Sequence, residues 1–141
     1  MKIALGADKV GKPLLDVIAT HLAKRSGVTV ADLSEPGFYA DIAAKVSKAV
    51  LAGEYDRAVL FCGTGIGMSM AANKVKGIRA ALCCDTFMAE RARQHNDANV
   101  LCLGAERTSK APEIVRAFLT TDFEGGRHQV RLDKMAQMEG G

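Results

Sequence analysis

The chain has 141 residues, which is enough for one domain with a buried core and too short for two domains of usual size. Apolar residues make up 48% and charged residues 25%, a balance that excludes a largely disordered chain. The net charge of +3 is small and the basic residues are scattered, so we expect no nucleic-acid partner, whereas an anionic small molecule is compatible with this charge.

Five short apolar runs predict β-strands, and segments with helical periodicity separate them. The runs lie at residues 2–5, 28–33, 58–62, 79–83 and 100–103. Strands that alternate with helices predict a parallel sheet with right-handed crossovers. Because the runs are apolar throughout, helices should cover both faces of the sheet. We therefore expect an α/β fold over residues 1–141, with a five-stranded parallel sheet in a three-layer αβα arrangement.

The helical segments are recognised by apolar residues three and four positions apart. Such residues mark the first two helices: Leu14, Leu15, Ile18 and Leu22, then Ile42, Val46, Val50 and Leu51. A last helix is predicted around residues 114–119. Gly125 and Gly126 then interrupt the chain, and a basic segment follows. We interpret residues 125–141 as a basic helical arm that packs on a neighbouring subunit; packing on its own subunit and a solvated tail are the alternatives.

Location and metal binding are constrained by what the sequence lacks. The first residues do not form a signal peptide, and 18 consecutive apolar residues occur nowhere, so we expect no membrane segment. The four cysteines form no CxxC pair, which favours a reduced, cytoplasmic chain. His21, His95 and His128 show no ligand spacing with these thiols, so we expect no metal site.

The stretch AVLFCGTGIG, residues 58–67, is the most informative part of the sequence. It predicts a strand that runs into three glycines and then into a helix. Glycine permits a tight turn in which backbone N–H groups converge, and such a turn attracts an anion. The spacing matches neither a dinucleotide fingerprint nor a P-loop, so we expect no nucleotide cofactor.

Cys62 ends the predicted third strand, at the sheet edge where open α/β folds bind ligands. The following helix start should favour its thiolate, and Cys62 could then act as a base. The alternative is a buried thiol with a packing role only. Asp8 and Lys9 follow the first strand. His95 begins a polar cluster before the fifth strand, where it is either structural or catalytic.

Three segments resemble the ribose-5-phosphate isomerase B family, which also includes galactose-6-phosphate isomerase subunits and isomerases of tetrulose phosphates. They read CGTGIGMSMAANKVKGIRAALC, RQHNDANVLCLGA and FEGGRHQVR, and the resemblance extends from Gly6 to Arg131. It implies a Rossmann-like subunit in a homodimer or a dimer of dimers. It also implies an aldose–ketose isomerase of a phosphosugar that uses no cofactor, with active sites shared between subunits.

The resemblance also implies roles for individual residues. Cys62 would move the proton between C1 and C2, with Thr64 beside it, and His95 and Asp8 would open the sugar ring. The backbone of Gly63, Thr64, Gly65, Ile66 and Gly67 would hold the enediolate oxygen. Sugar hydroxyls would be bound by Tyr39, Thr64, Asn96 and Asn99. The phosphate would be bound by Arg127 and Arg131, which lie one helical turn apart, as paired Arg donors suit a phosphate.

Five positions depart from the usual pattern of the family: Lys9, Phe38, Ala40, Cys84 and Glu106. Lys9 stands where a histidine is usual, and as a substrate-binding residue it would keep a cation near the phosphate or the ring oxygen. Glu106 stands where an arginine is frequent, on the phosphate side. Phe38, next to Tyr39, could narrow the pocket. We therefore expect interconversion of ribose 5-phosphate and ribulose 5-phosphate in the pentose phosphate route, with an isomerase of a tetrose phosphate or a hexose 6-phosphate as the alternative. A noncatalytic module that binds sugar phosphates or nucleotides is a further alternative.

Overall fold

The computed structural model describes residues 1–140 of the chain. Its centre is one sheet of five parallel strands in the order β2-β1-β3-β5-β4. The strands are β1 (Lys2–Ala7), β2 (Thr29–Asp32), β3 (Arg57–Cys62), β4 (Ala80–Leu82) and β5 (Val100–Gly104). All five predicted strands are present, and the predicted parallel sheet is confirmed.

Six helices accompany the sheet. They are α1 (Lys12–Ala23), α2 (Tyr39–Leu51), α3 (Ile66–Ala72), α4 (Thr86–Gln94), α5 (Ala111–Thr120) and α6 (Arg127–Gly140). The apolar periodicity correctly located α1 and α2, and Pro112 lies in the first turn of α5, where its missing N–H costs nothing. No helix within residues 1–140 has the length and hydropathy needed to cross a bilayer.

Two apolar cores cover the two faces of the sheet, which explains why the strands are apolar at every position. In β3, Val59 and Phe61 point into the core beneath α1, α4 and α5. Leu60 and Cys62 point to the opposite core, beneath α2 and α3. The three-layer αβα arrangement is therefore confirmed, and Cys62 lies on the α2–α3 side of the sheet.

The basic arm forms α6, and part of it packs on its own subunit. His128 and Leu132 are buried within the chain. At the far end of α6, the Glu139 carboxylate accepts the N–H of Gly77 at 2.9 Å. These residues of the arm therefore pack on their own subunit, which is one of the alternatives that the sequence left open. Val130 and Met138 remain 58% and 84% exposed, so packing of the outer face on a second copy stays a prediction.

Candidate active site

The strand order creates a crevice at the carboxyl ends of β1 and β3. The chain leaves β1 towards β2 on one side, and it leaves β3 towards β4 on the other side. Loops that diverge in this way form the ligand-binding crevice of open α/β sheets. The two loops are residues 8–11, with Asp8 and Lys9, and residues 63–65. The sequence-predicted glycine turn therefore lies at the switch point of the fold.

The glycine turn has a backbone that only glycine adopts easily. Gly65 has φ +83°, and a Cβ there would lie 2.5 Å from the Leu82 side chain and 3.0 Å from the backbone carbonyl carbon of Leu103. This close packing directs the Gly65 N–H to the Cys62 sulfur at 3.2 Å. Thr64 Oγ1 accepts the Ile66 N–H at 3.2 Å and stabilises the start of α3.

Cys62 differs from the other two buried cysteines. Burial raises the pKa of Cys83 to about 12, and it raises the pKa of Cys102 still further, so both remain thiols near neutral pH. The Cys62 side chain is 5% exposed, and its sulfur accepts a backbone N–H from Gly65. Cys62 therefore differs from Cys83 and Cys102 in having a backbone hydrogen-bond donor directed at its sulfur.

Tyr39 and Asp8 lie beside the glycine turn. A Cβ added at Gly67 would meet the Tyr39 ring at 2.7 Å, so the first residue of α2 packs directly on the start of α3. Asp8 Oδ1 accepts the Gly11 N–H at 2.9 Å, and the Asp8 N–H points to the Phe61 carbonyl at 3.4 Å. The loop after β1 is thereby held against the end of β3, and the side chain of Lys9 is exposed beside it.

Glu106 also belongs to this edge, because the loop after β5 is bonded to the glycine turn. The N–H groups of Ala105 and Glu106 donate to the carbonyls of Cys62 and Gly63 at 2.8 and 3.0 Å. The Glu106 carboxylate oxygen lies 3.0 Å from the position of a Cβ on Gly63. A carboxylate thus stands over a turn whose backbone attracts anions, which lowers the affinity of this spot for a phosphate.

The remaining predicted residues lie at the opposite edge of the sheet. His95 follows α4, and Asn96 and Asn99 precede β5, while Arg127 and Arg131 are in the first turns of α6. In the sheet register, Ala58 pairs with Val100 and Cys62 pairs with Gly104. Four strand residues span about 13 Å. One chain therefore does not bring His95 to Cys62, and the predicted residues form two separate groups.

Asn99 has a structural role at this edge. Its Oδ1 accepts the Arg79 N–H at 2.8 Å, and its Nδ2 donates to the Gly77 carbonyl at 3.0 Å. The amide thus holds the turn before β4. The sugar-binding role expected for Asn99 stays a prediction. Asn96 is exposed and borders a cavity of about 430 Å³ between β4 and the arm, with Met135 and Met138 on the opposite wall.

Sequence reasoning assigned no role to the two residues that contact His95. The rings of His95 and His128 are stacked, with centroids 4.3 Å apart and an interplanar angle of 12°. Glu124 Oε1 lies 3.4 Å from His128 Nε2 and 3.9 Å from His95 Nε2. Glu124 and His128 lie about thirty residues after His95 in the chain. The one sequence signal that could have identified them is the FEGGRH motif, which contains both residues.

The same three side chains are the candidate metal ligands among residues 1–140, since their ligand atoms lie within 4.8 Å of one another. A metal ion bound by an imidazole lies in the ring plane, about 2 Å from the nitrogen. Rings that are stacked face to face direct their nitrogens along parallel planes and do not converge on one ion. The observed geometry therefore does not suit a metal bound by both histidines.

Comparison with known proteins gives a consistent result. The model of the family described as Ribose/Galactose Isomerase matches residues 3–135. The chain belongs to this family. It is 45% identical to ribose-5-phosphate isomerase B of Escherichia coli (strain K12), over 98% of this chain and 96% of the relative. It is 42% identical to D-erythrulose-4-phosphate isomerase of Pectobacterium atrosepticum, over 99% and 95%.

A solved structure of ribose-5-phosphate isomerase B from Clostridium thermocellum matches with a TM-score of 0.95 and 45% identity, over 99% of this chain and 98% of that chain. The fold expected from the resemblance is therefore confirmed. Family membership likewise confirms a sugar-phosphate isomerase of the aldose–ketose class. The noncatalytic binding module is no longer a candidate.

Proposed function

We propose that this isomerase interconverts ribose 5-phosphate and ribulose 5-phosphate, with Cys62 as the base. The relatives named as ribose-5-phosphate isomerase B support the substrate. The observation that carries the proposal is the Cys62 sulfur at the switch point of the sheet, where it accepts the Gly65 N–H at 3.2 Å. A base that contacts this crevice can reach a carbon next to a sugar carbonyl.

The reaction begins with opening of the furanose ring. His95 gives a proton to the ring oxygen while Asp8, directly or through water, accepts the proton of the C1 hydroxyl. The bond between C1 and the ring oxygen breaks, and C1 becomes an aldehyde. A positioned acid or base of this kind contributes about 10² to 10⁴ in rate.

Proton transfer between the carbons follows. The Cys62 thiolate removes the proton from C2, and the electron pair forms the C1–C2 double bond of an enediolate. Its negative charge on O1 is stabilised by backbone N–H groups of residues 63–67, each donor contributing about 3 kcal/mol. The O2 proton is transferred to O1, and Cys62 returns its proton to C1, which gives the ketose and regenerates the thiolate.

A complete site requires a second copy of the chain. Cys62, Asp8 and Tyr39 lie at the carboxyl edge of the sheet, whereas His95 and the arginines lie at the other edge. We propose a homodimer, alone or as part of a dimer of dimers, in which the second copy contributes the residues that bind the phosphate and open the ring. Arg127 and Arg131, one turn apart on α6, then bind the phosphate. We retain a cytoplasmic location as a prediction.

The test is turnover of ribose 5-phosphate by purified Cys62→Ala protein. We expect loss of activity by about 10² or more with sugar-phosphate binding largely kept. Cys84→Ala is the matched control, because Cys84 is an exposed cysteine outside the proposed machinery, and its activity should equal that of the parent. Normal turnover by Cys62→Ala would exclude Cys62 as the base.

An isomerase of a four-carbon sugar phosphate is the second candidate, and Glu106 is the observation that favours it. Its carboxylate occupies space above Gly63, which shortens the crevice and opposes a nearby phosphate. The similarity to D-erythrulose-4-phosphate isomerase agrees with this reading. Turnover of ribose 5-phosphate, erythrulose 4-phosphate and allose 6-phosphate under one set of conditions separates the candidates. Fast tetrose turnover with negligible pentose turnover would overturn the first.

A further inference from the structure

The polar turn between α4 and β5, residues 95–99, has a left-handed backbone at Asp97. Its φ is +46°, a conformation that Asp adopts more readily than most residues with a side chain. The Asp97 N–H donates to the Arg93 carbonyl at 3.2 Å, which turns the chain back from the end of α4. His95 and Asn96 directly precede Asp97. The conformation of Asp97 therefore determines where these two residues lie.

The Asp97 carboxylate lies between two arginines. Arg93 Nη1 donates to its Oδ1 at 2.9 Å, and Arg79 Nη2 donates to its Oδ2 at 3.3 Å. Arg79 Nε also donates to the Asp97 carbonyl at 2.9 Å. The Arg93 side chain is 7% exposed and that of Arg79 is 34% exposed, so solvent weakens the contact with Arg93 less. Asp97 is thus held at both its side chain and its main chain, and most firmly by Arg93.

Arg93 also joins the polar turn to the segment that precedes the arm. Its Nε donates to the Thr121 carbonyl at 3.2 Å, and its Nη1 donates to the Ala98 carbonyl at 2.6 Å. The same segment is attached to the end of α4 a second time, because the Glu124 N–H donates to the Gln94 carbonyl at 3.0 Å. Helix α6 begins three residues after this contact. One buried guanidinium therefore contacts both the polar turn and the segment that leads into α6.

The two segments that Arg93 connects carry the groups that the proposed function assigns to the second copy. His95 lies in the polar turn, and Arg127 and Arg131 lie in the first turns of α6. A substrate that contacts all three needs a fixed distance between the turn and the helix. A misplacement of about 1 Å lowers a rate by about 10²-fold. The contacts of Arg93 therefore bear on catalysis as well as on the fold.

We propose that Arg93 and Asp97 are positioning residues that set the distance between His95 and the phosphate-binding arginines of α6. The inference rests on the proposed function of His95, Arg127 and Arg131. Neither positioning residue needs to contact the sugar. Ribose 5-phosphate spans the ring-opening group and the phosphate-binding group, whereas inorganic phosphate contacts the phosphate-binding group alone. A change in the distance between the two groups should therefore affect turnover of the sugar and leave binding of phosphate unchanged.

The experiment compares Asp97→Asn with the parent protein. Asn keeps the size of the side chain and tolerates the left-handed backbone, but its neutral amide binds the two guanidinium groups less strongly. With ribose 5-phosphate, we expect kcat per folded chain to fall about tenfold, while KM and the Ki of inorganic phosphate stay within about twofold. With ribulose 5-phosphate, kcat/KM should fall by the same factor, because the equilibrium constant of the reaction is fixed.

Asp56→Asn is the matched control. The Asp56 carboxylate lies at the same edge of the sheet, where it accepts the Lys2 N–H at 2.7 Å. Its kinetic constants should equal those of the parent. Arg93→Lys is the second variant, because an ammonium keeps the charge but lacks the separate N–H groups that contact Asp97 and Thr121. It should lower kcat with the same unchanged KM and Ki.

Thermal unfolding gives the folded fraction of each variant, so that a structural effect is separated from a kinetic one. A kcat within twofold of the parent in Asp97→Asn would overturn the proposal, and so would a parallel rise in KM and in the Ki of phosphate. Failure of both Asp97→Asn and Arg93→Lys to fold would also overturn it, because the contacts would then serve the fold alone.

Arg127→Ala separates this inference from the proposed function. It removes a proposed phosphate donor, so the Ki of inorganic phosphate should rise severalfold. An unchanged Ki would refute the proposed phosphate site and the inference with it. A raised Ki in Arg127→Ala, together with a normal kcat in Asp97→Asn, would refute the positioning role alone.

Discussion

Mixing two inactive variants tests whether the active site is shared between two copies of the chain. The variants are Cys62→Ala, which removes the proposed base, and His95→Asn, which removes the proposed ring-opening acid. The structure places these residues at opposite edges of the sheet. The two edges are about 13 Å apart along the strand direction. A side chain does not bridge that distance, so the two residues meet only across an interface between copies.

The expected activity of the hybrid follows from symmetry. A two-fold dimer has two equivalent sites, and each takes Cys62 from one chain and His95 from the other. In a hybrid of the two variants, one site then contains both substitutions and the other contains neither. A purified hybrid should recover about half of the parent activity, and random mixing at equal amounts should recover about one quarter.

The assay uses two affinity tags on co-expressed chains, so that the hybrid is isolated from both parental dimers before turnover of ribose 5-phosphate is measured. A hybrid of Cys62→Ala with the unsubstituted chain has one intact site and calibrates the value of one half. If both residues acted within one chain, each site of the double-variant hybrid would contain one defect. Activity no higher than the mean of the two parental variants would therefore refute the shared site.

Three further results are expected. Gly65→Ala should destabilise the fold by about 1 to 3 kcal/mol, measured by thermal unfolding, because φ is +83° and the added Cβ would lie 2.5 Å from Leu82. Glu106→Gln should lower the Ki for inorganic phosphate a few-fold, since it removes a carboxylate from the anion-binding turn; an unchanged Ki would show that phosphate binds elsewhere. Stability should fall as pH drops below about 6.5, because neutral, buried His128 has a lowered pKa and the unfolded chain takes up the proton first. In chemical unfolding, His128→Gln should flatten this slope.

The strands were predictable from sequence because each is a local run of residues suited to a sheet covered on both faces. Their ends were less predictable. The apolar run predicted β1 over residues 2–5, yet β1 continues to Ala7, because Gly6 and Ala7 pair with Leu60 and Phe61 of β3. Glycine fits at position 6 because α2 packs closely there, and a Cβ would lie 2.8 Å from the Val46 side chain. β4 is shorter than predicted. At its first residue, the Asn73 side-chain amide accepts the N–H of Ala80 and donates to the carbonyl of Ala80, so this edge of the strand is bonded to a side chain.

The two halves of the site were predictable to different degrees. Cys62 and the glycine turn are adjacent in sequence, so their geometry is local and the sequence predicted it. The contact of His95 with Glu124 and His128 depends on how α6 returns to the end of α4, which no local pattern encodes. The placement of Glu106 over Gly63 likewise arises from bonds between the loops after β3 and β5. The candidate residues Cys62 and His95 could thus be recognised from the sequence. The side chains that lie next to them in space, Glu106, Glu124 and His128, could not.

The topology of the sheet itself separates the two halves. In a parallel sheet, every loop that follows a strand lies at one edge and every loop that precedes a strand lies at the other. Cys62 follows β3 and His95 precedes β5, so no rearrangement of side chains within one chain unites them. In the proposed dimer, a second copy presents its strand-preceding edge, with Arg127 and Arg131 of α6, to the carboxyl edge of the first. Assembly would then do more than stabilise the fold, because it would bring the proposed proton-transfer, ring-opening and phosphate-binding groups into one site.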